Sequence, residues 1–367
     1  MRVFKKISSK AVSFWQRYER HISLGAVFGG FAFDLILVNS PENVGDNLLL
    51  LGYLFVAAVI IVLLNIRSRA QMDRENRTEP LVLVFILQFC FGGLASNLLV
   101  LYGKSGTFAG SALFIGLLVA FIFGNEFLKN RYAQLQFNVA VYYFLVLTYL
   151  TIALPTFVLH AIGAQAFLIS GVVSLIVIGV FLAVIFIFVF KRKQERRMWE
   201  VSAWVGVIFF IFNGLYFLNV IPPVPLGLKD IGVYHTLVRQ GATYAATYEA
   251  PAWYVFWRNT AGVYTSVPGQ QAYCFSAVYA PSALSASVVH RWEQYDAATK
   301  EWQSRSVVSF PINGGRENGY RGWSNKGDLV AGQWRCNVET TRGQLIGRIT
   351  FDVVEAATLP ALSTTTL

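Results

Sequence analysis

Apolar residues are distributed along this chain in two patterns. Through residue 220 they form long unbroken runs; beyond residue 225 they alternate with polar residues. A helix that crosses a bilayer needs roughly 20 consecutive apolar residues. Seven stretches approach or meet that length: Ile22–Val38, Asn47–Ile66, Pro80–Leu101, Thr107–Phe123, Phe137–Leu159, Phe167–Phe190 and Ser202–Val220. Lipid offers backbone groups no hydrogen-bond partner, so such runs must be helical. The loops between them are short, which makes the helices antiparallel neighbours in a bundle. Small residues (Gly25 with Gly29, and Gly92, Gly93, Ala95 and Ser96) mark places of close helix approach. Pro155 should kink the fifth run. Ile22–Val38 is read as an uncleaved anchor, because no small-residue cleavage site follows it.

The prolines Pro222, Pro223 and Pro225 end the last run and predict a stiff, extended connector. Five strands follow from the alternation: Ala272–Ala280, Val288–Tyr295, Trp302–Phe310, Gly332–Thr340 and Leu345–Val354. Trp334, Cys336 and Val338 share one face, opposite Arg335, Asn337 and Glu339. Ile349, Phe351 and Val353 likewise oppose Arg348, Thr350 and Asp352. A period of two with one polar face predicts half-buried antiparallel strands. The last two should form a hairpin around Arg342-Gly343, and the set suggests a two-sheet sandwich. The expected organisation is a segment 1–21, a seven-helix transmembrane domain 22–220, a connector 221–225, a β-sandwich-like domain 226–355 and a flexible tail 356–367.

Composition agrees with this division. The chain has 367 residues, 55% hydrophobic and 14% charged, against about 25% charged in ordinary soluble domains. The net charge of +10 could suggest nucleic-acid binding. Its placement argues otherwise, because the excess sits in loops between apolar runs. The segment before the first run holds six Lys and Arg, and the loops after the second, fourth and sixth hold four, two and five. The intervening loops hold Lys104 alone. Seventeen against one orients the N-terminus toward the cytoplasm and, after seven crossings, places the C-terminal domain outside, as expected for a bacterial inner-membrane protein.

The strands carry a resemblance. Cys274-Phe275, His290-Arg291-Trp292, Gly314-Gly315-Arg316, Gly319-Tyr320-Arg321-Gly322-Trp323-Ser324, Lys326, Gly332-Gln333-Trp334-Arg335 and Gly347-Arg348-Ile349-Thr350-Phe351 together resemble the bacterial domain-of-unknown-function 2914 family over about residues 272–354. The chain departs from that pattern at Cys336, where Val is expected. The resemblance implies a compact β module on bacterial membrane proteins and implies no activity.

Candidate chemistry is sparse. Arg316, Arg321 and Lys326 lie in the glycine-rich segment GGRENGYRGWSNK with Tyr320 and Trp323. Guanidinium forks on flexible backbone could bind a carboxylate or phosphate while the aromatics stack on a sugar. The same residues could equally fix a sandwich corner by cation–π packing. His290 and Trp292 join this set as candidate ligand- or partner-binding residues, though a lone strand histidine is more often structural. The intramembrane polar residues are Asp34, the one carboxylate well inside a run, and Asn97 and Asn213, expected to bond between helices. Cys274 and Cys336 are a candidate disulfide, with two buried free thiols as the alternative. The histidines have no metal-ligand spacing, and no nucleophile or nucleotide-binding motif is present, so no catalytic residue, metal or cofactor is expected. The leading expectation is a non-enzymatic envelope protein that presents an extracytoplasmic β domain to a protein partner or a cell-envelope glycan, with the lipid bilayer as its other partner and no nucleic acid. The alternatives are a transporter or channel component using Asp34, and an enzyme acting on a lipid-linked substrate.

Overall fold

The computed structural model describes residues 41–70, 81–105, 112–120, 134–189, 195–255, 258–316 and 318–367. Its helices are α1 (Val44–Ala70), α2 (Leu81–Lys104), α3 (Leu135–Leu154), α4 (Ala164–Val189) and α5 (Glu195–Phe217), and residues 112–120 are also helical. Among the described residues, five helices are long and apolar enough to cross a membrane. Seven spans are therefore not reached among the described residues. Ile22–Val38 lies outside them, together with Asp34, Gly25 and Gly29, and only 112–120 of Thr107–Phe123 lies within them.

The chain divides into two compact units. The first holds most of the helical residues. The apolar window of α3 is 67% buried, against 33%, 28% and 22% for those of α1, α4 and α5, so α3 is innermost. The other helices turn large apolar side chains such as Phe55, Ile187 and Phe210 outward, a surface that suits lipid and not water. Gly93 makes room for Tyr53, whose ring a Cβ there would meet at 2.9 Å. Tyr149 donates to Asn47 Oδ1 at 3.3 Å, and the Tyr143 and Ser174 hydroxyls bond at 3.3 Å. Asn97, expected to bond across helices, instead donates to Gly93 O one turn back in its own helix, which satisfies the buried amide locally. Asn213 is half-buried.

The second unit contains the strands and, with them, residues 102–114, 151–170 and 213–220 at the helix ends. At Pro155 the helix widens into a π-turn, Pro155–Leu159, where the ring cannot donate to the ladder. The Thr156 hydroxyl there donates to Ile152 O. The proline stretch is not an extended connector: Val224 N bonds Pro222 O and Leu226 N bonds Pro223 O. Ile221, Pro222 and Pro223 are buried, so the prolines turn the chain within a packed surface.

Eleven strands follow among the described residues: β1 (Gly227–Tyr234), β2 (Thr236–Gln240), β3 (Thr243–Tyr248), β4 (Val263–Ser266), β5 (Ala272–Tyr279), β6 (Ser285–Asp296), β7 (Glu301–Asn313), β8 (Tyr320–Lys326), β9 (Gly332–Thr340), β10 (Leu345–Glu355) and β11 (Ser363–Thr366). They form three sheets, ordered β1-β5-β8, β4-β10-β9-β6-β7 and β11-β3-β2. All pairs are antiparallel except β4 with β10. The β9–β10 hairpin turns at Arg342-Gly343, where Gly343 takes φ +81°.

The three-stranded sheet β1-β5-β8 is the middle layer. Cys274 and Val278 of β5 pack toward the five-stranded sheet, with Trp292, Trp334, Cys336, Val338 and Phe351. Phe275 and Ala277 pack the other way, against Tyr244, Ala246 and Tyr248 of the small sheet. A strand covered on both faces needs no polar face, which explains the nearly continuous apolar run of β5. The expected two-layer arrangement gains a third layer for this reason. The segment expected to be a flexible tail contributes to that layer, since β11 pairs with β3 and Leu367 exchanges two backbone bonds with Tyr244.

A disulfide joins Cys274 of β5 to Cys336 of β9 and so ties the middle sheet to the five-stranded one. The two residues are separated by 62 positions. Closing a loop of that size restricts the unfolded chain by about 4 kcal/mol at most. The double variant Cys274→Ala/Cys336→Ala should lose roughly 2–4 kcal/mol of stability, read as a lowered melting transition of the strand signal.

Candidate functional site

The residues that the sequence singles out do not converge on one place. The glycine-rich segment is not a loop along its length: Tyr320–Lys326 is strand β8, paired with β5. Gly322 is small because Phe310 lies against it, and a Cβ there would stand 2.1 Å from the ring. Arg321 and Trp323 point away from the five-stranded sheet. Arg321 Nη1 donates to Ala242 O at 2.8 Å, and Trp323 lies 5.8 Å from the Tyr273 ring. Arg316 sits over Tyr320 at 4.9 Å, and Tyr320 itself packs on the core. Lys326, at the far end of the strand, donates to Gly327 O.

His290 and Trp292 belong to a different environment, fully buried between two sheets. Strand pairing sets Ser324 beside Cys274 and Trp292 beside Cys336. Trp292 Nε1 donates to Ser324 Oγ at 2.9 Å. The same hydroxyl meets His290 Nδ1 at 3.0 Å, while Ser276 Oγ meets Nε2 at 2.8 Å. Phe310 stands edge-on to the imidazole at 4.8 Å. Two hydroxyls suit a neutral ring, and burial pushes the imidazole down to about 4. One ligand-capable atom from each of Cys274, His290 and Cys336 falls within 4.8 Å of the others. With the sulfurs joined in a disulfide this trio offers an imidazole but no thiolate, so it is a packed knot and not a metal centre.

A polar network that the sequence does not announce covers the outer face of the five-stranded sheet. Glu293 accepts from Arg335 at 2.5 Å and from Asn337 at 2.8 Å. Arg348 donates to Asn337 Oδ1 at 2.6 Å, Arg291 pairs with Glu339 at 3.0 Å, and Arg335 covers Trp302 at 4.1 Å. Burial and the Arg335 charge hold the Arg348 guanidinium below its ordinary range. These groups satisfy one another.

The candidate binding site lies elsewhere in the second unit, at the helix ends. A cavity of about 410 Å³ opens there, within the range of about 300–1,000 Å³ usual for small-molecule sites. Its apolar wall comes from Pro155 and from Ile162, Ala166 and Phe167 at the start of α4, with Tyr216 near the end of α5. Its polar wall comes from the strand ends: Ser285 and Ser287 of β6, Asn313 of β7, and Thr340, Thr341, Arg342 and Gln344 of the β9–β10 turn. Tyr216 stacks on Phe167 at 3.6 Å between centroids. Arg342 lies over Tyr216 at 4.7 Å and over Phe217 at 5.0 Å. Gln344 Nε2 donates to Ile221 O at 3.4 Å, holding the turn against the proline stretch. Among the described residues that line the cavity, Arg342 is the one charged side chain, and no carboxylate of a described residue pairs with it.

Comparison with known proteins covers part of this architecture. Residues 285–353 match the family described as "Protein of unknown function (DUF2914)". The DUF2914 match begins at β6 and ends near the close of β10. It therefore includes His290, Trp292, Cys336 and the Arg342 turn, and leaves out Cys274 and every helix. No curated protein matches the chain. Among solved structures the chain aligns with Pseudomonas fluorescens alkylpurine DNA glycosylase AlkC bound to DNA containing an abasic site analog, at 9% identity over 83% of this chain and 97% of that one. The TM-score of that alignment is 0.23.

The buried imidazole makes stability depend on pH. An unfolded histidine titrates near 6.5 and His290 near 4. Between those values the unfolded chain binds a proton that the folded chain does not. Stability is complete above pH 6.5 and falls as pH is lowered toward 4, by up to about 3 kcal/mol. Melting curves of a His290→Gln variant should be lower at pH 7 and should lack this acid-side slope; an unchanged slope would place its origin in other groups.

Proposed function

We propose that the chain is an integral membrane protein of the bacterial envelope whose strand unit stands on the outer side and serves binding, not catalysis. The observation that carries this is the chemistry of the cavity. Its lining offers apolar surface, hydroxyls, amides and one guanidinium. Among the described lining residues there is no carboxylate, imidazole or thiol to move a proton or attack a bond. Such a lining suits recognition.

The division into units supports the orientation. The helix ends that pack with the strands, at 102–105, 151–170 and 213–220, flank the loops nearly free of Lys and Arg. The opposite ends lead into the loops with Arg67, Arg69, Arg74 and Arg77, and with Lys191, Arg192, Lys193, Arg196 and Arg197. Positive loops stay in the cytoplasm, so the strand unit belongs outside, where a disulfide persists. In this reading the protein is an accessory subunit. The face on which the exposed Trp323 lies beside half-buried Arg321 and Tyr273 is a second surface for a protein partner or glycan.

The topology is tested with reporters fused after Leu367 and within 191–197. An alkaline phosphatase fused at the C-terminus should be active and a fluorescent protein there dark, with the reverse in the 191–197 loop. A fluorescent C-terminal fusion would contradict the proposal.

A further inference from the structure

We infer that the cavity at the helix ends binds the phosphate-bearing headgroup of an anionic amphiphile, with Arg342 as the phosphate-binding residue. This rests on the reading of the cavity as a binding site and adds the class of ligand.

Three observations point to that class. The first is the asymmetry of the walls. Pro155, Ala166, Phe167 and Tyr216 all lie within helices long and apolar enough to cross a membrane, and they form one side of the cavity. Ser285, Ser287, Asn313 and Thr341 line the other, interspersed with Ala286, Pro311 and Ile312. The hydroxyls, amides and guanidinium thus gather on the strand side, and a ligand with an apolar part toward the helices and a polar part toward the strands, as at the headgroup region of a lipid, fits this lining.

The second is the state of Arg342. Elsewhere in the unit, Arg291 and Arg335 are paired with glutamates, and Arg258, Arg321 and Arg348 donate to carbonyl or amide oxygens; none of these lines the cavity. Arg342 is half-buried and rests on two aromatic faces, and no carboxylate of a described residue pairs with it. Cation–π contacts fix the plane of the guanidinium and leave N–H donors without an anionic acceptor. A guanidinium held in this way matches a phosphate bidentately, which a lysine would not.

The third is rigidity. Arg342 sits at the tip of a hairpin closed by Gly343 N to Thr340 O and by Gln344 N to Thr340 Oγ1, and Gln344 ties the turn to Ile221. The donor is therefore positioned before the ligand arrives, which reduces the entropy lost on binding. The exposed hydroxyls of Ser287 and Thr341 line the cavity around it and suit a glycerol or sugar on the phosphate.

The test uses the full chain in mild detergent. The probes are short-chain phosphatidylglycerol, short-chain phosphatidylcholine and soluble glycerol phosphate, with binding read by native mass spectrometry. Phosphatidylglycerol should bind more tightly than the zwitterionic phosphatidylcholine, and Arg342→Gln should weaken phosphatidylglycerol at least tenfold and remove that preference. Arg342→Lys should recover only part of the loss. Ser287→Trp, which fills the cavity from an exposed strand position, should abolish binding and decides the matter if the Arg342 variant does not fold. Glycerol phosphate binding as tightly as the lipid would overturn the amphiphile and indicate a soluble phosphate ester. Lipid binding blocked by Ser287→Trp but indifferent to Arg342→Gln would overturn the anionic headgroup while leaving the cavity a binding site. Binding unaltered by both variants would overturn the inference and the cavity reading together.

Discussion

The β9–β10 turn resting on the end of α5 is the contact on which the functional side of the molecule depends. The end of a long apolar helix must hand its last carbonyls and its apolar side chains to something. Here the receiving surface is a hairpin. Gln344 bonds the backbone at Ile221, Arg342 covers Tyr216 and Phe217, and Tyr216 stacks on Phe167 of α4. Ile162 packs on the strand core. The strands are thus built onto the helix ends, and the cavity exists because two differently shaped surfaces meet there.

What keeps that hairpin in place is the core behind it. Its first strand carries Cys336, bonded to Cys274 of the middle sheet, and the disulfide lies beside the His290–Ser324–Trp292 group. Every polar atom named in that group has a partner, which is the condition for burying a histidine and an indole without large cost. The residues that attract notice in the sequence as chemistry, His290 above all, are therefore the structural support. The turn at Thr340–Gln344, less conspicuous, presents the surface.

The legibility of the sequence follows the same division. The five strands expected from the pattern, and the hairpin at Arg342-Gly343, lie where it places them: four have one face in the core and one more open, and β5, covered on both faces, shows instead as a nearly continuous apolar run. Strand β8 escaped because Gly322 and Ser324 read as loop residues. They are small since Phe310 and the buried histidine stand over them, and their alternation with Arg321 and Trp323 was the available signal. Strands β2 to β4 are short and rich in Thr and Ala, and β1 places Lys229-Asp230 next to one another and is broken by a register shift there, so none leaves such a period. The cavity was out of reach for a different reason. Its walls come from segments near 151–167, 216–224, 285–287, 311–313 and 340–344, which no local pattern connects.

The central claim is that the helix ends and the strands form one cooperative unit. Hydrogen–deuterium exchange on the full-length protein, before and after reduction of the Cys274–Cys336 disulfide, tests it directly. Amides at 152–160 and 213–221 should lose protection together with those of β9 and β10, since loosening the core releases the hairpin that covers them. Faster exchange in the strands with unchanged protection at the helix ends would contradict the account.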